Sequence, residues 1–313
     1  MVAITNLSGL WVAAVLTSTT ALVRAAIPSN SGYSVIWSDD FEGSSGSAVS
    51  SSKWDVMQRS SDDNSNGEWQ EYRASTANAR LSGDGSLLIT PRRDASAKRG
   101  WTSARLTSKG SWQCPRGAAV IFQAEVLVPN FTGSPDHFAG LWPAFWARGT
   151  AVPDWPRRGE WDVLEPTNRL SNVNQGTLHY QTAQGQYASK SGRVTYKGGD
   201  WHTWAIKSDR RSSNWREQKL TWYLDGKAFV DLSGADFAAE SEWRSVAWNP
   251  FEIILNVAVG GGYPGDPTSA TLDGLSAAMR VRPVGWVGVV VAVGGGVGED
   301  QARYVGMSGH RSL

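Results

Sequence analysis

The chain has 313 residues, 41% of them hydrophobic, and a formal net charge of +1. That length suits one large domain or two small ones. The near-neutral, dispersed charge excludes the concentrated Lys and Arg of a nucleic-acid binder, and the single cysteine, Cys114, excludes an intrachain disulfide.

Leu10 to Val23 (LWVAAVLTSTTALV) is an apolar-to-neutral run followed by the small residues Ala25 and Ala26. Residues 1–25 therefore read as a signal peptide, and the run is too short for a membrane span. Residues 27–53 are rich in Ser and Gly around Trp37-Ser38-Asp39-Asp40-Phe41. Beyond them, short β-branched and aromatic runs alternate with turn residues. Leu87–Thr90, Ala118–Val126, Trp201–Ile206 and Leu220–Leu224 are expected strands. Asp225-Gly226 marks a tight hairpin that continues through Ala228-Phe229-Val230. Ala235 to Trp243 is the one expected short helix. The doublets Arg92-Arg93, Arg157-Arg158 and Arg210-Arg211 read as solvated turns. Asn130-Phe131-Thr132 is an acceptor triplet for N-glycosylation, which fits a secreted chain. Regular short strands over most of the chain predict an all-β sandwich of two antiparallel sheets.

Two residue types are over-used, with 17 Trp and 34 Gly. Indole rings are large, flat and amphipathic. About two thirds of the Trp are expected to fill a β core, on the general tendency of aromatic side chains to be buried. The remainder is enough to line a cleft, where ring faces pack on the C–H faces of sugars.

Gly159-Glu160-Trp161-Asp162-Val163-Leu164-Glu165 concentrates three carboxylates. In a strand Glu160 and Asp162 share one face, because side chains alternate. Glu165 is five positions from Glu160 and would face away. A single β-bulge between Asp162 and Glu165 returns it to the same face. Four strand steps span about 13 Å, and two leaning Glu stems bring the carboxyls to about 5–6 Å, the separation of a retaining glycosidase. One carboxylate must attack while the other arrives protonated, and repulsion within the row raises at least one pKa. Alternating acids are as often the solvated face of a strand. Here Trp161, Val163 and Leu164 supply an apolar reverse face, and the block Leu141-Trp142-Pro143-Ala144-Phe145-Trp146 precedes the run by one loop.

The Glu160–Glu165 run resembles the E-[ILV]-D-x-x-E signature of glycoside hydrolase family 16, in its laminarinase-like branch, with Trp161 in place of a small aliphatic residue. Further blocks follow in the family's order: Asp39–Gly43, Gly67–Tyr72, Thr102–Leu106, Leu141–Trp146, Thr177–Tyr180 and Phe251–Gly265. The resemblance covers residues 35–275. It implies a concanavalin-like β-jelly-roll with a cleft across its concave sheet. It implies Glu160 as nucleophile, Asp162 as its assistant and Glu165 as acid/base. It implies substrate contacts from Asn66, Arg105, Trp142, Trp146, His179, Asn256 and Tyr263, the last standing where the family commonly has Trp.

The resulting expectation is a secreted monomer without a membrane span, with β-glucan polysaccharide as its partner, acting as a retaining endo-glycosidase on β-1,3- or mixed β-1,3-1,4-glucan. No cofactor is required. The alternatives that stay open are a non-catalytic β-glucan-binding protein, a cell-wall glucan transglycosylase and a β-galactan hydrolase. Nucleic acid is not an expected partner, and no catalytic metal is expected. The family places a structural calcium near its N-terminal Glu, but the Asp of the closing strand that helps to hold it is missing here. The catalytic domain is expected to span 26–281. From Arg282 the pattern breaks: Pro283 lacks an N–H and interrupts a strand, and an uncharged Gly/Val-rich tract follows. Residues 282–313 are therefore expected to be an atypical, poorly packed tail, either an insertion or a gene-model artefact.

Overall fold

A computed structural model describes residues 31–132 and 135–290. The signal-peptide run and the tract beyond Val290 lie outside the described residues. The first half of the chain forms β1 (Ser34–Asp39), β2 (Trp54–Val56), β3 (Gln70–Tyr72), β4 (Ala79–Leu81), β5 (Leu87–Ile89), β6 (Arg92–Arg93), β7 (Trp101–Ser103), β8 (Arg105–Trp112) and β9 (Ala118–Leu127). Then come β10 (Leu141–Gly149), β11 (Glu160–Leu164), β12 (Val173–Gln181), β13 (Tyr187–Thr195), β14 (Trp201–Asp209), β15 (Lys219–Leu224) and β16 (Lys227–Ser233). Among the described residues there is one α-helix, α1 (Glu240–Ala247), which leads into β17 (Phe251–Val259) and β18 (Met279–Val290).

Two large antiparallel sheets hold the molecule. One runs β13-β12-β11-β10-β17-β8-β2, the other β16-β15-β14-β9-β18-β5-β4 with β1 also on β18. A small sheet, β3-β7-β6, lies beside them. The expected two-sheet sandwich is the observed fold. Both residues of the β15–β16 turn have positive φ, 49° at Asp225 and 78° at Gly226, as the tight-hairpin signal requires.

The core lies between the large sheets. Trp54, Trp101, Trp161, Trp204, Trp222, Trp243 and Trp286 are among its fully buried side chains. Trp161 stacks on Phe251 with centroids 3.9 Å apart, and its indole N–H donates to the Val246 carbonyl on α1. The bulky residue in the signature is thus a core residue facing away from the carboxylates. The helix begins later than expected, at Glu240 instead of Ala235. Ser233 and Asp236 cap each other around a short 3-10 turn first, and α1 starts only after Ala239.

The expectation for the C-terminus is corrected. β18 runs without a break through Arg282 and Pro283 to Val290, so residue 281 is not an edge of the fold. Against β9, Val281 pairs with Val126 and Val284 with Ala124, so two residues face one and Pro283 sits in a bulge. On its other side β18 pairs with β5 up to Val281 and with β1 from Val284. Pro283 falls at the changeover, where its missing N–H costs no ladder bond. Trp286, from the supposed tail, is 1% exposed and stacks on Phe122 at 5.0 Å.

Candidate active site

The carboxylates belong to the sheet containing β10, β11 and β17. Gly159, just before β11, has φ +75°, and a Cβ there would stand 2.5 Å from the Ser245 carbonyl oxygen. Only glycine lets the chain pass under α1 and enter the strand at this angle. From Glu160 the alternation puts Trp161 into the core and Glu160 and Asp162 on the other face.

The bulge expected from the spacing is present, and Val163 is the extra residue. Phe145 pairs with Leu164 while the next residue, Trp146, pairs with Asp162. Pairing of β11 with β12 stops at Asp162. There the fully buried Asn174 side chain replaces the ladder. Its amide donates to the Val163 carbonyl at 2.9 Å and its oxygen accepts from the Glu165 N–H at 2.7 Å. The Trp222 indole, reaching across the core, donates to the Asp162 carbonyl at 2.9 Å. Three hydrogen bonds from buried side chains thus set the backbone that aims Glu165.

The remaining expected residues gather around this strand. His179 is directly opposite Glu160 on β12. Its Nε2 is 2.8 Å from Asp162 Oδ2 and 4.0 Å from Glu160 Oε1, and Nδ1 is 2.9 Å from the Tyr187 hydroxyl. Trp142 donates its indole N–H to Glu165 Oε1 at 3.0 Å and lies 5.3 Å from the Tyr263 ring. The Trp146 indole donates to Asn256 Oδ1 at 2.7 Å, and the Arg105 guanidinium lies 4.7 Å over the Trp146 ring. Arg105 and Asn256 are register partners. Asn66 is further out, in the exposed loop before β3. Its amide donates to Glu68 at 3.1 Å, and its carbonyl accepts from the Gly262 N–H, beside Tyr263. All ten expected residues therefore line one face of one sheet or its adjoining loops.

Others were missed. Tyr72 is buried and its hydroxyl accepts from the Asn256 amide at 3.3 Å. Tyr187 and the exposed Trp155 stack at 5.2 Å beside His179. Tyr72 stands in the Gly67–Tyr72 block without being singled out, and nothing in the sequence around Tyr187 marks it. Asn174 acts through main-chain groups, so no spacing of chemical side chains could mark it.

Electrostatics separates the carboxylates. Burial, then the Asp162 charge, pushes Glu160 up to about 8, although His179, Arg105 and a hydrogen bond from Trp155 hold it down. Burial, then Asp162 and Glu160, raises Glu165 well above the usual carboxylate range. Burial pulls His179 down, but the Asp162 hydrogen bond and charge prevail and push it up to about 10. His179 is thus an imidazolium at neutral pH, set against Asp162. Closely spaced buried carboxylates cannot all ionise. Glu165 has only His179 as a cation acting on it, whereas Glu160 has His179 and Arg105, so Glu165 is the better placed to keep the proton and Glu160 to lose it.

The residues where calcium is implied do not fit it. β18 presents Val284, Gly285, Trp286 and Val287 to β1, with no carboxylate among them. The expected metal-ligand Asp has no counterpart on that strand.

Two carboxyls of raised pKa on one face of a β-sandwich, between aromatic rings, suit a glycoside hydrolase. The model described as "XgeA-like, catalytic GH16 domain" matches residues 60–254. A β-glucanase of Rhodothermus marinus is 30% identical over 249 residues, covering 74% of this chain and 78% of its own. The endo-1,3-β-glucanase of Streptomyces sioyaensis superposes with a TM-score of 0.73 at 32% identity, covering 85% of this chain and all of that one. The clotting factor G alpha subunit of Tachypleus tridentatus is 28% identical over 238 residues, 74% of this chain but only 31% of that protein. The chain belongs to glycoside hydrolase family 16.

Proposed function

We propose that this enzyme cuts β-1,3-glucan, or mixed β-1,3-1,4-glucan, from within and with retention of configuration. Glu160 attacks the anomeric carbon, Glu165 protonates the departing oxygen and later takes a proton from water, and Asp162 with His179 holds the charge beside Glu160. The observation that carries this is the division of pKa between Glu160 and Glu165 on a bulged strand. The glucanases of Rhodothermus marinus and Streptomyces sioyaensis support the substrate class. Trp142, Trp146, Trp155 and Tyr263 offer ring faces for successive sugars. The Arg105 fork and the amides of Asn66 and Asn256 offer donors to hydroxyls.

The test is product sizing on laminarin, lichenan and β-1,3-galactan. Short oligosaccharides of mixed length from laminarin or lichenan, with the β-anomer formed first, are expected. Products longer than the starting chains would indicate transglycosylation, cleavage of galactan alone would move the substrate, and binding without cleavage would remove the enzyme reading. We also propose that the enzyme acts outside the cell, on the strength of the Leu10–Val23 run. Recovery of mature protein that still begins at Met1 would sink that proposal.

Asn174 gives a separable prediction. In Asn174→Ala the bulge loses both side-chain bonds, and misplacing a catalytic group by an ångström costs about 10²-fold. We expect kcat to fall on the order of 10²-fold with KM little changed, and the unsatisfied Val163 carbonyl and Glu165 N–H to cost about 1–3 kcal/mol of stability. A stability loss with unaltered kcat would show that Asn174 only braces the sheet.

A further inference from the structure

The doublets Arg157-Arg158 and Arg210-Arg211 read as solvated turns, and the structure corrects this for Arg210, which is only 7% exposed. It lies at one end of the sandwich, where β8, β10 and β14 finish and β17 begins, with α1 packed over the start of β11. A cleft of about 490 Å³ opens there. Its lining includes Arg157 from the β10–β11 loop, Arg210 after β14, Arg244 and Ser241 on α1, and Trp248. The lining contains no acidic residue.

The guanidinium groups of Arg210 and Arg244 both lie over the Trp248 ring, at 4.5 and 4.6 Å from its centroid. The ring itself is fixed, because its indole N–H donates to Gln218 Oε1 at 2.7 Å. Arg210 donates from Nη1 to the Cys114 carbonyl, but its buried Nε has no acceptor. Among the described residues no carboxylate pairs with Arg210 or Arg244. Arg157 alone has one, Asp154 at 2.6 Å. Burial lowers the Arg210 pKa, and the charges of Arg116 and Arg244 add to the lowering. A buried cation surrounded by cations is costly without an anion, and the guanidinium fork matches tetrahedral oxyanions.

We propose that this cleft is a second ligand site, which takes a tetrahedral oxyanion, sulfate or phosphate, between Arg210, Arg244 and Arg157. The group is either a free ion or an ester carried on a polysaccharide. The site does not depend on the glucanase reading. It is linked to the cleft of the carboxylates: Arg157 is two residues from Trp155, whose ring stacks beside His179 and Tyr187, and Ser245 of the lining stands against Gly159, just before Glu160. Bound oxyanion would tie the β10–β11 loop to α1 and so hold Trp155 in place.

The experiment is thermal unfolding of the full chain in sodium sulfate and in sodium phosphate against sodium chloride at matched ionic strength. A ligand that binds only the folded state raises Tm saturably, whereas general salting effects of sulfate rise without saturation. A saturable rise is expected in the wild type. In Arg244→Ala, which changes an exposed side chain, its half-saturation point should move at least ten-fold higher, with laminarin hydrolysis intact in chloride. Arg157→Ala serves as the second variant and should show the same shift. Affinity electrophoresis through dextran sulfate, with neutral dextran as control, separates the two sources. Retardation lost in Arg244→Ala identifies the polymer-borne ester, and a saturable Tm rise without retardation identifies the free ion. Equal, unsaturated responses in wild type and both variants, with no differential retardation, would overturn the proposal.

Discussion

Glu160→Gln is expected to abolish hydrolysis of laminarin while leaving glucan binding in place. The substitution keeps the shape and the hydrogen-bonding length of the side chain and removes the nucleophile. Loss of a residue that acts as a unit with its partners commonly costs several orders of magnitude, and here at least about 10³-fold in kcat is expected. Binding should survive because the ring platforms are held by other groups: Trp142 by Glu165, Trp146 by Asn256 and Tyr263 against Trp142. Titration of the inactive variant with laminarin oligosaccharides, followed by Trp fluorescence, checks the second half. Hydrolysis at the wild-type rate would remove Glu160 from the mechanism altogether. In the wild type, the acid limb of kcat/KM should lie above the ordinary glutamate range, because Glu160 must lose its proton and is pushed up to about 8.

The second large effect is on stability, and its sign follows from proton binding. Glu160 and Glu165 hold protons more tightly folded than unfolded, since both are raised above the 4.5 of an ordinary glutamate. Between the unfolded and folded values the native state therefore binds more protons, and stability falls as pH rises. The contribution is complete below about 4.5 and for Glu160 is lost by about 8. Each unit of difference is worth about 1.4 kcal/mol, so on the order of a few kcal/mol are at stake. Glu165→Gln replaces the raised group with a neutral one of the same size. Its Tm at pH 9 should exceed that of the wild type, and the difference should shrink towards pH 5. A variant that is less stable at pH 9 would contradict the assignment of Glu165 as a group held protonated by burial. The same substitution should reduce kcat on glucan by about 10²–10⁴-fold, the usual contribution of general acid catalysis. Activity and alkaline stability then move in opposite directions at one side chain.

Much of this site was legible because its chemistry is written in side chains with a fixed period. Glu160, Asp162 and Glu165 cannot share a face without one extra residue, so their spacing alone demanded the bulge that Val163 makes. What holds the bulge was not legible. Asn174 and Trp222 bond to main-chain carbonyls and an N–H, which every residue possesses, so nothing at those positions advertises a partner 11 or 60 residues away. Pro283 misled for a related reason. A proline is a breaker only where its N–H is needed, and whether it is needed depends on which strands flank it in space. Arg210 misled because an arginine doublet on a turn is usually solvated. Its burial depends on Cys114 and Trp248, distant in sequence and brought there by the closure of the sandwich.

The position of β18 carries a consequence for how the chain reaches this state. The last described strand is a central one, pinned between β9 on one side and β5 and β1 on the other. Its partners are synthesised long before it, so that sheet stays divided until the stretch around Trp286 has been made. Pairings this far apart in sequence are slow to form, and until then β9 exposes an apolar edge open to wrong partners. The described stretch from Val284 to Val290 would then act as a latch: useless for chemistry, but the step after which the molecule can no longer be pulled back into an open chain without breaking the packing of Trp286 on Trp112, Phe122 and Trp161.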